Sequence, residues 1–316
     1  MSDPLSARGG LTVGIASRNR RESLSRALAS LRWLRGWIRE VIVADCGYDD
    51  PLLLDELKRM AQGCEARVSR VEVSAEAGYV AGRNRIAAAA QTQWLLSMDD
   101  DALVLNRSAI DFASTVLRTD AKAGAVAFAQ GNERGEAYPD FCQAARVSYR
   151  CESNTYIGFA VLHDLEVFRS LGGYWDPLSF YGEEKDYCLR LRASGRRVVY
   201  LPDAVVGHLA DPVGRSSQRY LRYYNRNDCL TALRLFPWPL AAIVMCRRLR
   251  GYSAVALANL GSVDEEGGRW IRSEVRRLWP QVRASRRSVG FATLWNWRSN
   301  RLSPRAYAGP MGCAGV

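Results

Sequence analysis

The chain is expected to be an α/β protein, a sheet flanked by helices, with a helical extension at its C-terminal end. Three observations carry that expectation. Short apolar runs alternate with helix-spaced segments from Leu11 to Met98, the pattern of parallel βαβ units. Three of those runs end in polar clusters, Ser17–Arg20, Asp45–Asp50 and Asp99–Asp101, where open α/β sheets place their ligands. From about Arg215 the pattern becomes helical and Arg-rich.

Each element has its own signal. Leu11–Ala16 is a buried strand opening into Ser17-Arg18-Asn19-Arg20, and Glu22–Leu34 carries Leu24, Leu28, Leu31 and Leu34 at helical spacing. Val41–Ala44 is a second strand, ending at Asp45-Cys46-Gly47. Pro51 then starts a helix at its first turn, running to about Gln62. Arg67–Val73 alternates like a strand, Ala81–Ala90 is an Ala-rich helix, and Trp94–Met98 is a strand that runs into Asp99-Asp100-Asp101. Beyond Ala125 the pattern is less regular. Ala125–Ala129 and Ile157–Leu162 read as strands, and Glu166–Leu171 as a short helix stopped by Gly172-Gly173. Glu183–Ala193 is a helix stopped by Gly195, and Arg197–Leu201 a strand capped by Pro202. No internal repeat occurs.

The composition, 48% hydrophobic and 24% charged over 316 residues, can bury a core and excludes disordered, collagen-like and low-complexity classes. The net charge of +11 invites a polyanionic partner, so its location matters. Residues 1–212 hold 26 basic and 28 acidic side chains, whereas residues 213–316 hold 18 and 5. The chain therefore divides into a nearly neutral domain, 1–212, and an Arg/Trp-rich helical extension, 213–316. Eight scattered cysteines make no C-x-x-C pair and fit buried thiols in a reducing cytoplasm. The N-terminal MSDPLSARGG has no apolar signal core. The longest apolar run, around Trp238–Cys246, contains Pro239 and is about half the ~20 residues a spanning helix needs.

Three consecutive aspartates at the end of an apolar strand repel one another beside a hydrophobic core, so a cation should compensate them. A strand puts Asp99 and Asp101 on one face, where both can address one divalent cation and its phosphates; a solvated turn or helix cap is the plainer reading. Glu183-Glu184 at a helix start either favours the helix dipole or supplies a general base. His208 follows a strand and is either structural or a metal ligand. Asp45 either binds a ligand or caps its turn. Gly78–Asn84 opens a helix with small residues and Arg83, as a phosphate-facing surface would.

Taken in order, IASRNR, EVIVADCG, GYVAGRNRIAAAA, WLLSMDDDA, FYGEEKDYCLRLRASGRRVVYLP and VGH resemble family-2 glycosyltransferases of the GT-A fold, over roughly residues 11–210. The segment YLRYYNRNDCLTALRLFP resembles the helix that follows the core in bacterial rhamnosyltransferase-like members. The resemblance implies a GT-A, Rossmann-like mixed sheet. It also implies inverting transfer of a sugar from a UDP- or dTDP-linked donor to a hydroxyl of a glycan, a lipid-linked glycan or a secondary metabolite. Asp45 and the loop Ala16, Ser17, Arg18 and Asn19 would contact the base, and Asp99, Asp100 and Arg83 the donor. Asp101, Asp99 and His208 would hold Mg²⁺ or Mn²⁺. Glu184, with Glu183 beside it, matches the family's E-D pair and the general base, although Glu replaces Asp at position 184 and leaves the choice between the two open. Cys46-Gly47-Tyr48 departs from the small polar residues usual there. Gly158, Phe159, Trp175, Asp176, Tyr181 and Tyr187 flank the expected base and are acceptor-side candidates, with ordinary core and rim packing as the alternative.

Arg interleaved with Trp in 213–316, with Lys confined to Lys58, Lys122 and Lys185 elsewhere in the chain, suits an anionic membrane surface or a lipid-linked acceptor; a solvated helical face is the alternative. The chain is accordingly expected in the cytoplasm, at the inner face of the cell membrane. A nucleic-acid-binding protein is disfavoured, because no recognisable nucleic-acid module occurs and the first two thirds are slightly acidic. A nucleotidyltransferase would want a Gly-rich turn after its first strand, where Ser17–Arg20 stands.

Overall fold

The computed structural model describes residues 10–210, 216–307 and 309. The signal-peptide reading of residues 1–9, Cys313, Arg215 as the start of the helical part and the division at 212/213 lie outside the described residues.

Four strands, β1 (Leu11–Ser17), β2 (Ile38–Asp45), β3 (Arg67–Glu72) and β4 (Trp94–Asp99), pair in parallel in the order β3-β2-β1-β4. Every residue of β1 is buried, as a strand covered on both faces requires. The register sets Ser17 opposite Asp45 and Ala16 opposite Asp99, so the three polar clusters share one edge of the sheet. Between these strands run α1 (Arg21–Ser30), α2 (Leu54–Met60) and α3 (Gly78–Ala89). The third helix starts at Gly78, a turn earlier than Ala81, and two other bounds differ for a visible reason. The first helix tightens into a 3₁₀ turn over Leu31–Leu34, which still buries both leucines. The second begins at Leu54 rather than Pro51, because the Asp45 carboxylate draws in the N–H of Leu52 and keeps Pro51 in the loop.

The second half turns the sheet mixed. It contains β5 (Ala102–Leu103), α4 (Arg107–Thr119), β6 (Ala123–Gly131), β7 (Cys151–Ser153), β8 (Ala160–Asp164), α5 (Leu165–Ser170), α6 (Glu183–Ala193) and β9 (Arg197–His208). β8 runs antiparallel between β4 and β6, while β9 lies parallel to β6 and antiparallel to β5 and β7. The sequence reading passed over α4, an amphipathic helix capped by Asn106 that buries Ile110, Ala113, Val116 and Leu117. Pro202 does not end β9. Leu201 pairs with Phe128 and Val205 with Ala129, so residues 202–204 bulge out, and a proline without an N–H is tolerated in a bulge. The strand then resumes and delivers His208 opposite Ala102, next to Asp101.

Among the described residues five helices follow: α7 (Ser217–Leu235), α8 (Trp238–Leu260), α9 (Gly267–Arg277), α10 (Trp279–Ser285) and α11 (Phe291–Leu302). They share apolar cores with the sheet domain. Leu178 packs with Leu230, Tyr252, Ile271 and Val275, and Leu189 of α6 packs with Ala232, Leu235 and Leu294. The chain finally returns to the sheet edge, where Ala306 bridges to Cys151 and the Tyr307 N–H donates to the Arg150 carbonyl. Among the described residues, no helix is long and apolar enough to cross a membrane.

Candidate active site

The polar strand ends and the start of α6 open on a cavity of about 1230 Å³. The three aspartates go three ways. Asp99, partly exposed, accepts from Arg83 Nη2 at 2.5 Å. Asp100 turns back towards β1, where Ser17 Oγ donates at 2.6 Å and Arg20 Nη1 at 3.1 Å; burial outweighs these bonds and pushes its carboxyl up to about 6. Asp101 is buried, with Arg20 Nη1 at 3.5 Å and His208 Nε2 at 3.5 Å. One ligand atom from each of Asp99, Asp101 and His208 lies within 4.8 Å of the others, close enough to share one divalent cation.

The histidine is oriented for that use. Its Nδ1 faces Gln130 Oε1, and Gln130 Nε2 donates to the Cys142 carbonyl, which fixes the amide with its oxygen towards the ring. Nδ1 therefore carries the proton, and the Nε2 lone pair points at Asp101, the arrangement in which an outer partner sets the tautomer of a metal-binding imidazole. Phe159 stacks beneath the ring at 4.9 Å and 20°.

Arg83 joins this cluster to the acidic pair. It is almost fully buried and bonds Asp99, the Gly158 carbonyl (2.7 Å) and Glu183 (2.7 Å), while its guanidinium lies 4.8 Å from the Tyr79 ring centre. The two glutamates differ in placement. Glu183 points inward, fully buried, and accepts from Arg83 and from Tyr79 Oη at 3.2 Å. Glu184 lines the cavity and accepts from the Gly158 N–H at 3.2 Å. Burial raises both carboxyls above the usual range, and the Glu184 charge raises Glu183 further. Gly158 is required here for space: a Cβ would lie 2.7 Å from Arg83 Nη1 and 2.8 Å from Glu184 Oε1. Gly158 itself lines the cavity, between Ile157 and Phe159.

The loop that presents α6 is conformationally unusual. Ser179, Tyr181 and the N-cap Gly182 have φ of 57°, 62° and 78°. One side chain from α7 holds it: Asn227 Nδ2 donates to the carbonyls of Leu178 (2.9 Å), Phe180 (2.7 Å) and Tyr181 (2.6 Å). Arg226 Nε donates to Asn227 Oδ1 at 2.8 Å, which fixes which end of the amide faces the loop.

Of the remaining expected residues, Ala16, Ser17, Arg18 and Asn19 line the cavity, as do Phe159 and Tyr181. Tyr181 meets Tyr220 edge-on at 5.0 Å. Asp45 is not brought to the cavity. It is buried, accepts from the N–H groups of Gly47 (3.2 Å), Tyr48 (3.0 Å) and Leu52 (3.3 Å), and pairs with Arg70 at 3.4 Å, so it holds its own turn. Trp175 is also elsewhere, packed 5.1 Å from the Arg234 guanidinium in the core shared with the C-terminal helices. Asp176 is taken by Asn84, and Tyr187 is buried in the main core. The sequence reading missed Tyr79, Gln130, Asn227 and the cavity-lining Tyr220 and Tyr224. Tyr79 had a signal, one helical turn before Arg83; Asn227 had none, since its role depends on how α7 docks.

Comparison with known proteins agrees with this geometry. The family model described as "Glycosyltransferase like family 2" matches residues 8–229. No curated protein matched the chain. Among solved structures, the mannosyltransferase PcManGT from Pyrobaculum calidifontis, in complex with GDP-Man and Mn²⁺, is similar at a TM-score of 0.56 and 16% identity, covering 94% of this chain and 88% of that one. S. aureus TarS is similar at 0.57 and 16%, covering 93% of this chain, which spans 55% of TarS. TarS 1–349 in complex with UDP-GlcNAc gives 0.56 and 15%, covering 93% and 91%. These likenesses describe the GT-A fold; the match over residues 8–229 goes further, and by it the chain belongs to glycosyltransferase family 2.

Proposed function

We propose that this glycosyltransferase moves a sugar, with inversion at the anomeric carbon, from a UDP- or dTDP-linked donor to a hydroxyl acceptor. The observation that carries the reading is Glu184, which Gly158 holds at the wall of the same cavity that receives Asp99, Asp100 and His208. Asp99, Asp101 and His208 are the residues to hold Mg²⁺ or Mn²⁺, which when bound neutralises charge on a diphosphate leaving group. GDP-Man with Mn²⁺ in the mannosyltransferase, and UDP-GlcNAc in TarS, support a nucleoside-diphosphate donor. With Asp45 committed to its turn, Ala16–Asn19 are the residues left to read the base.

The chain's own groups then divide the work. Arg83 keeps Asp99 in position and offsets the buried charge of Glu183. Glu184, made more basic by burial, takes the acceptor's hydroxyl proton. The acceptor oxygen bonds to the anomeric carbon on the face opposite the diphosphate as that C–O bond breaks, so configuration inverts. We assign this chemistry to residues 1–212 and the far wall of the acceptor space to 213–316. The outward Trp238, Ile243 and Trp295 of those helices, beside many arginines, suit an anionic membrane surface at the inner face of the cell membrane.

A thermal-shift screen of nucleoside diphosphates and their sugars, with and without Mn²⁺, tests the reading. One nucleotide should stabilise the protein only with metal present, and its sugar should be turned over to free nucleoside diphosphate. No stabilisation by any of them would overturn it.

A further inference from the structure

Away from the donor residues, the cavity wall is built by α6, α7, α8, α11 and residues 141–147. It is cationic there, and the charges are not consumed. Lys185 and Arg248 share one carboxylate, Asp228, which accepts from both. Burial works against that carboxylate, yet the two cations hold it below the usual range, so it stays ionised and offsets only one of them. Arg146 and Arg301, both exposed on the same wall, have no carboxylate partner among the described residues. With Arg219 of α7, which lies over the Phe180 ring at 4.0 Å, five cations thus line the wall beside Asp228 and the reacting Glu184. Arg18, Arg20 and Arg83 line the donor side, where Arg20 pairs with Asp100 and Asp101 and Arg83 with Asp99 and Glu183, so the cations of this wall are additional to them.

The same wall carries rings. Tyr220 and Tyr224 stack at 5.7 Å and 27°, Arg248 lies 5.6 Å from the Tyr224 ring, and Lys185 lies 5.6 Å from that of Trp297. Aromatic faces next to forked guanidinium groups suit a polyhydroxylated body joined to a phosphate, since Arg matches phosphate oxygens two at a time.

Resting on the sugar-transfer reading above, we infer that the acceptor is a hydroxyl compound bearing a phosphate group, its phosphate held among Arg146, Lys185, Arg248 and Arg301 and its hydroxyl at Glu184. In the transfer the acceptor oxygen gains the glycosyl carbon, its proton passes to Glu184, and the nucleoside diphosphate leaves with the electron pair of the broken bond. The acceptor's phosphate is retained in the product.

The test gives the full-length enzyme Mn²⁺, the sugar nucleotide that stabilises it most, and acceptors paired by phosphate: glycerol 3-phosphate against glycerol, and hexose 1-phosphate against methyl hexoside. Nucleoside diphosphate release should favour the phosphorylated member at least tenfold in kcat/KM. Arg248→Gln and Arg301→Gln, with Tm measured beside each, should each cut that preference about tenfold, or about 1.4 kcal/mol. Vesicles of phosphatidylglycerol and of phosphatidylcholine identify the source. Faster release on phosphatidylglycerol than with glycerol 3-phosphate places the phosphate on a lipid headgroup, and the reverse places it on a soluble acceptor; both support the inference. Equal rates for each pair, or preference for a uronate over hexose 1-phosphate, would overturn it while leaving sugar transfer standing, because nucleoside diphosphate is still released. No release from any UDP-, dTDP- or GDP-sugar would overturn both.

Discussion

Asn227→Asp is the most informative single change, because it alters hydrogen bonding without altering shape. The amide donates to three carbonyls of the loop that presents Glu183 and Glu184. Leu178 keeps a second donor in Arg226, at 2.6 Å, but Phe180 and Tyr181 depend on Asn227. Leaving a buried carbonyl without a donor costs roughly 1–3 kcal/mol; these two are part-buried, so the low end applies and together they are worth about 2 kcal/mol to the loop. Against that, holding Tyr181 at φ 62° costs about 1–2 kcal/mol, so the substitution is large enough to release the loop towards ordinary backbone. Arg226 still meets an oxygen at position 227, so α7 itself stays packed. The expected result is a fall in kcat of about 100-fold, since displacement of a base by about 1 Å has that effect. Nucleotide-dependent thermal stabilisation should persist, because the donor-side residues are untouched. Nucleoside diphosphate release and thermal shift measured on one preparation check both. Wild-type kcat with a lowered Tm would refute the positioning role and leave Asn227 a stability residue.

Four further outcomes follow from the same geometry. Gly158→Ala places a methyl group 2.7–2.8 Å from Arg83 and Glu184, and should cost about 1–3 kcal/mol in stability and most of the turnover, read by Tm and product release. Asp101→Ala and Glu184→Gln should each nearly abolish transfer; near-normal turnover in either would remove its assigned role. Because both glutamates have raised carboxyl values, the native state holds protons more tightly than the unfolded chain. Stability should therefore fall as pH rises from the ordinary glutamate value of 4.5, while kcat, which needs Glu184 ionised, rises over the same window; paired pH profiles of Tm and kcat show whether they run in opposite directions. Gln130→Leu removes the acceptor that fixes the His208 tautomer and should weaken Mn²⁺ binding about 10–100-fold, measured by metal titration of the thermal shift.

The parallel half of the sheet was legible because three of its strands are apolar runs ending in polar clusters and the fourth, at the sheet edge, alternates, and the register does bring Ser17, Asp45 and Asp99 to one edge. Family membership was legible from the order of the motifs. What failed was local punctuation taken at face value. Pro202 reads as a stop, yet a bulge absorbs it and lets β9 reach His208. Asp45 reads as a ligand residue because it ends a strand, but three backbone N–H groups and Arg70 use it up. The choice between Glu183 and Glu184 was open because adjacent helical residues point about 100° apart, and only the position of Arg83 tells which one faces inward. Asn227 and Gln130 could not be found at all. Each is defined by a partner about 50 or 80 residues away in sequence, which no local pattern encodes.

The charge imbalance of residues 213–316 also gains a physical reason. With five acidic residues in that stretch, its arginines cannot all pair with carboxylates, and several bond carbonyls instead. Arg286 donates to Leu233 and Phe236, and Arg226 divides itself between Glu274 and the carbonyls of Pro177 and Leu178. Arg234 and Arg222 do pair, with Asp186 and Asp264. Such residues fasten the helices to one another and to the loop before α6, so their charge is no measure of affinity for a polyanion. A guanidinium that satisfies a buried carbonyl keeps its full charge in the formal count while being unavailable to a partner. Of the charge left over, part opens on the cavity at Arg301, and at Arg248, which shares Asp228 with Lys185; the rest lies on exposed arginines of α8, α9, α10 and α11. The first group borders the transfer site itself. That part of an excess that looks like nucleic-acid binding in the sequence is what the proposed acceptor phosphate would meet.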